Sequence, residues 1–266
     1  MKMRHHNPIG CPMITKAKPK LSWGVSLRCT AIAATLAFAN VMIAPAQTLG
    51  PPPIPPKNAK KQKIQWVDTE WLWQYSPPPA EGRENDLIQD PHFRPFIDQY
   101  LTAPQAFWGP NMPPRKSLAD TAYDFLAIPG KVIADDNRYL TFTGCVFHFC
   151  PSRGLVFVDL NSGQKNTQPL VVFAAIDWIR ESKVTTDPGA EYTLWIFPDV
   201  AMTSDHLPAP LVKSLVRWSE EPIARTGIHQ RITTAVLVDP DGTPHPFKPD
   251  TIGILDPQTT KPEATK

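Results

Sequence analysis

Apolar residues along the chain fall into two spacings, and the change from one to the other divides the sequence into elements. Phe93, Phe96, Ile97, Tyr100 and Leu101 recur three or four positions apart, which predicts an amphipathic helix. Pro95 fits its first position, and the helix should end before Ala103-Pro104. A second short helix is expected over residues 117–126, where Ser117 and Asp120 stand as a capping pair. From there the spacing shortens to strand patterns: KVIA (131–134), YLTFT (139–143), GLVFVDL (154–160), LVVFAAI (170–176) and EYTLWIF (191–197). Asp135-Asp136-Asn137 and Asn161-Ser162-Gly163 are turn formers between neighbours, and such short connections imply antiparallel pairing. Leu211, Val212, Leu215, Val216 and Trp218 return to helical spacing, and ITTAVLVDPDGTPHPFKP (232–249) reads as a hairpin turning at Asp241-Gly242. The class is α+β: a mainly antiparallel β-sheet with a few short covering helices.

Outside these elements the pattern is lost. The chain has 266 residues and 32 prolines, about twice average usage, and the prolines cluster. Residues 1–46 read as an export signal. Lys2, Arg4, Lys16, Lys18, Lys20 and Arg28 precede or enter an apolar run (30–44) too short for a comfortable membrane span, and Ala44-Pro45-Ala46 supplies a small-x-small cleavage site. Without those six, 21 of the 27 basic residues face 25 acidic ones, a formal charge of −4. The basic balance of the whole chain thus belongs to the signal, and nucleic acid is not an expected partner. Residues 47–84 form an extended arm: a proline run, the lysines Lys57, Lys60, Lys61 and Lys63, then Trp66, Trp71, Trp73 and Tyr75. Those aromatics are expected to lie against a core, with a carbohydrate-stacking platform as the functional alternative. The main domain spans residues 85–220, a hairpin extension residues 221–249, and a disordered tail residues 250–266.

Candidate chemistry concentrates in TGCVFHFCPSRG (143–154). With Cys11 and Cys29 removed by export, Cys145 and Cys150 are the two cysteines that remain, in a compartment that favours a disulfide. Inside one straight strand they would point to opposite faces and stand about 16 Å apart at ~3.3 Å per residue. A disulfide needs their Cα atoms within about 7 Å. Pro151 also disfavours a central strand. The segment therefore reads as a tight stapled loop between the YLTFT and GLVFVDL strands, with Val146, Phe147, His148 and Phe149 at its tip. A structural zinc site wants more ligands than two cysteines and the scattered His92, His206, His229 and His245 supply, and a redox role would expect Cys-x-x-Cys. No G-x-S-x-G or base-activated nucleophile is present, so neither an enzyme nor a cofactor is expected. His148 reads either as a partner-binding residue or as a buried, satisfied histidine in an apolar tip.

The loop GCVFHFC resembles the Cys-x-x-His-x-Cys loop of the inhibitor of vertebrate lysozyme (Ivy) family, secreted bacterial proteins whose loop enters the lysozyme cleft. The order of elements around it is similar, over roughly residues 85–220 and through YTLWIFPDV. The resemblance implies an inhibitor of a lysozyme-type or related peptidoglycan-cleaving glycosidase, periplasmic or secreted, and leaves a homodimer open. It implies that His148 bridges the two carboxyl groups of the enzyme's cleft while Cys145 and Cys150 hold the loop. Val146, Phe147 and Phe149 stand where the family loop carries a lysine, a proline and an aspartate. A different class remains as the alternative: an envelope structural or adaptor protein that keeps the fold without inhibition.

Overall fold

Seven strands follow one another across a single sheet in chain order, β1 to β7. They run Ile128–Asp135 (β1), Tyr139–Val146 (β2), Phe149–Asp159 (β3), Leu170–Trp178 (β4), Glu191–Pro198 (β5), Arg231–Val238 (β6) and Pro244–Phe247 (β7). The computed structural model describes residues 68–75, 84–110, 114–160 and 168–257, all within one unit, residues 62–266. The export signal, the proline run and Trp66 lie outside the described residues. Among the described residues four α-helices accompany the sheet: Glu84–Gln89 (α1), Phe93–Tyr100 (α2), Leu118–Phe125 (α3) and Ala209–Ser219 (α4).

Every neighbouring pair is antiparallel except β5 and β6, which are parallel. The chain between those two strands carries α4, as a parallel connection requires a crossover. Strands β3 and β4 read as unbroken apolar runs because both of their faces are covered. One face packs Phe142, Val156, Val158, Val171 and Phe173 against Phe93, Phe96, Phe125 and the short 3-10 helix Glu70–Tyr75. The other packs Leu155, Phe157, Val172, Ala174 and Leu194 against Leu211, Leu215 and Trp218 of α4.

The aromatic arm belongs to the first core in its described part. Leu72 is fully buried, and Trp71 stacks on His92 at 5.8 Å and meets Phe96 edge-on. Pro95 is the third residue of α2 rather than its first. The expected cap of α3 is present, with the Asp120 amide donating to Ser117 Oγ at 3.0 Å. Arg94 then ties α2 to α3 through a 2.7 Å contact with Asp120. Strands β6 and β7 complete the same sheet, and Ile252 and Ile254 beyond them are buried in the second core. Residues 258–266 lie outside the described residues. Among the described residues no helix is long and apolar enough to cross a membrane.

Candidate functional site: the stapled hairpin and the cleft beside it

The turn between β2 and β3 is shorter than a six-residue loop. Val146 pairs with Phe149, so only Phe147 and His148 form the turn, and His148 takes a left-handed φ of 60°. Gly144 faces Gly154 and Cys145 faces Arg153, after which the register slips, leaving Cys150, Pro151 and Ser152 as a bulge on β3. A proline fits there because no regular ladder bond is asked of its nitrogen. The bulge is pinned from two sides: Gln230 Nε2 donates to the Pro151 carbonyl at 2.7 Å, and Ser152 Oγ to Asp177 Oδ1 at 2.6 Å.

Cys145 and Cys150 form the disulfide, with Cα atoms 4.8 Å apart. The cysteines sit on two adjacent strands, which meets the geometric condition that excluded a pair within one strand. Lateral support stops early: the last rungs to the flanking strands are Ile128 with Cys145 and Arg153 with Ile176. Val146 to Phe149 therefore extend past these rungs as a two-stranded tip, while Ser152 stays buried beside β4 through Asp177.

Its base is held on one face by α3. Gly144 and Gly154 lie directly under the end of that helix, where an added Cβ would sit 2.7 Å from Leu126 Cα and from Phe125 Cβ respectively. Any side chain would push the helix off the hairpin. The two glycines that flank the loop thus set the direction in which it leaves the sheet.

At the tip the four residues divide by environment. Phe147 is 62% exposed and His148 is exposed. Their rings lie 3.8 Å apart, centroid to centroid. Phe149 and Val146 are half-buried; Phe149 lies 6.1 Å from the Trp178 ring and Val146 packs on the first core. The reading of His148 as a buried histidine is overturned, because the turn carries it past the last flanking strand. Its imidazole makes no hydrogen bond to another described residue, and both ring nitrogens are open to a partner.

On the α4 face a cleft of about 590 Å3 opens beside the staple, bounded by Ile128 to Gly130, the hairpin, Trp218 and residues 221–226. Arg153 lines it, only 6% exposed, with its guanidinium 5.2 Å from the Trp218 ring centroid. Burial pulls this arginine's pKa down to about 10, still well above neutrality. Sequence reasoning passed over Arg153, because arginine is rarely buried. The available signal was strand period: residues 153, 155 and 157 share one face, and Leu155 and Phe157 are core.

A larger groove, about 740 Å3, lies on the α3 face between Leu101, Pro104, Trp195, Phe197 and Pro244. Its walls are mostly apolar, and its one buried polar lining residue among the described ones, Gln105, spends its side chain on backbone of Trp108 and Lys116. Nor do three or more His, Cys, Asp or Glu side chains gather into a metal site among the described residues. No family model matches the chain, and neither a curated protein nor a solved structure does.

Proposed function

We propose that this is an exported, non-catalytic inhibitor of a lysozyme-type glycosidase, acting through the stapled hairpin. The observation that carries the reading is the tip itself: an exposed imidazole with no hydrogen bond to another described residue, beside an exposed phenylalanine, on a hairpin closed by a disulfide. A two-residue turn on a pinned hairpin has little freedom left to lose, which lowers the cost of inserting it into a cleft. Retaining lysozymes carry two carboxyl groups about 5 Å apart, and an imidazole offers two nitrogens to bridge them. Phe147 supplies the apolar area that exposed aromatics contribute at the centre of interfaces. Export rests on the basic and apolar pattern of residues 1–46 and agrees with the disulfide.

The test is inhibition of a C-type lysozyme on a cell-wall substrate. The protein should inhibit at stoichiometric levels, and His148→Ala should weaken inhibition by about 30-fold, as loss of a central interface residue does. Equal potency of the two proteins, or no inhibition by either, overturns the proposal.

A further inference from the structure

Beside the hairpin tip lies a buried cation with no ion-pair partner among the described residues. Arg153 stands on β3 between Cys145 of β2 and Ile176 of β4. One of its Nη atoms reaches the Ser219 carbonyl at the end of α4, at 3.4 Å, which is long for a hydrogen bond. Its Nε is buried and has no hydrogen-bond partner among the described residues. No described carboxylate comes within ion-pair distance of it. Glu221 is near enough to raise its basicity, but that carboxylate is held by Lys131 Nζ at 3.1 Å.

Buried arginines are nearly always paired, because desolvating a charge is costly unless something answers it. A cation serving only to cap α4 would have sufficed on the surface, where helix C-termini attract basic side chains. Here the guanidinium is instead buried against a cleft of about 590 Å3, a volume usual for small-ligand sites. His148 and Arg225 are exposed around it, and Pro129, Trp218 and Ile223 give it apolar walls.

We propose that this cleft is a carboxylate receptor, with the Arg153 guanidinium as the seat of the carboxylate. The planar fork of an arginine matches the two oxygens of a carboxylate. One buried cation with Glu221 nearby suits a single negative charge better than the double charge of a phosphate, and the apolar walls suit an organic acid. The carboxylate belongs either to a free small acid or to an aspartate or glutamate of a protein docked on the hairpin, and the two share this chemistry. The proposal stands on Arg153 and the cleft, and does not depend on the lysozyme reading.

The experiment follows arginine Nε–Hε resonances of the nitrogen-15-labelled protein, with the Arg153 peak identified by its loss in Arg153→Lys. The titrants are sodium acetate, N-acetylglutamate amide and a short glutamate-containing peptide, against sodium chloride and sodium phosphate at equal ionic strength. The Arg153 peak should shift saturably with at least one carboxylate and not with chloride. Saturation by the small acids assigns a free acid, and saturation by the peptide alone assigns a protein side chain. Ala224→Phe, at an exposed position on the cleft wall, should weaken that binding about tenfold without touching the guanidinium. It keeps the test valid if Arg153→Lys fails to fold. No saturable shift with any carboxylate, tighter binding of phosphate, or unchanged affinity in Ala224→Phe overturns the proposal.

Discussion

Replacing Gly154 with alanine should destabilise the protein by about 1–3 kcal/mol, although it adds one methyl group. The added Cβ would lie 2.7 Å from Phe125 Cβ and 3.1 Å from the Phe125 carbonyl oxygen. Carbon atoms rest at about 3.5–4.0 Å, so hairpin and helix end must part by roughly 1 Å. Phe125 cannot yield freely: it is fully buried, 4.7 Å from the Trp108 ring and edge-on to Phe173. Gly144→Ala should fall at the upper end of that range, because its neighbours are backbone atoms, Leu126 Cα at 2.7 Å and Ile128 O at 2.8 Å. One outward displacement of the end of α3 relieves the contacts with Phe125 and Leu126, while that with Ile128 O of β1 remains. The double mutant should therefore lose less than the sum of the two, by about 0.5 kcal/mol or more. Urea unfolding monitored by tryptophan fluorescence measures all three, with unchanged slopes marking a true stability effect. A Gly154→Ala protein within about 0.5 kcal/mol of the parent would refute the claim that helix and hairpin meet backbone to backbone.

Two further outcomes follow from the same region and from the far end of the sheet. Replacing Cys145 and Cys150 together with serine should cost about 2 kcal/mol, the loop-closure value for a ring this small. Thermal unfolding should show a drop of roughly 4–8 °C in Tm that a reducing agent reproduces in the parent. Asp199, half-buried just after β5, has its carboxyl pushed up by desolvation to about 6 from an ordinary 3.8, against the hydrogen bonds it accepts from the Val171 amide and from its own. The folded state then holds a proton that the unfolded state has released, so this contribution is full below pH 4 and lost as pH rises through 6. Asp199→Asn should remove that slope and gain on the order of 2 kcal/mol at pH 7; unfolding curves at pH 4 and pH 7 that shift equally would reject it.

The strands were legible because each is either an alternation or an apolar run bounded by turn formers. Asp136 and Asn137 both adopt left-handed φ, 55° and 53°, and Gly242 does so at 90°, as turn-forming residues at tight connections should. The parallel β5–β6 pair was not legible. Its direction is set by where α4 docks, a long-range choice that local spacing does not encode. Pro151 was rightly read as a break in regular pairing, but the break is absorbed as a bulge while β3 continues on both sides of it. Residues 249–257 carry no periodic signal, yet Ile252 and Ile254 are enough to seat them on the second core. At the site, the staple and the tip followed from cysteine spacing and from the apolar runs that flank it. Arg153 did not, since composition places arginine outside and only strand period places it in.

The two faces of the hairpin are closed by different means, and this explains why the cleft and the tip occur together. On the α3 face the glycine pair lets the end of the helix close directly onto the hairpin base. On the α4 face the helix ends at Ser219, and the chain turns away through Glu221 to Arg225, where Arg225 takes a φ of 69°. Trp218 is thus the last large side chain of α4 in the core, and it forms part of the wall of the cleft beside the staple. His148 and Cys150 belong to the wall of that cleft as well as to the tip. A protein that closes over His148 consequently covers part of the cleft mouth, and a carboxylate seated on Arg153 lies under the same contact. Binding at either place must then change affinity at the other by the same factor. A carboxylate presented by the partner would join both contacts in one interface. For the proposed inhibitor, a free acid would make the hairpin's affinity for a lysozyme depend on acid concentration, so inhibition assayed with and without acetate at constant ionic strength would separate the two.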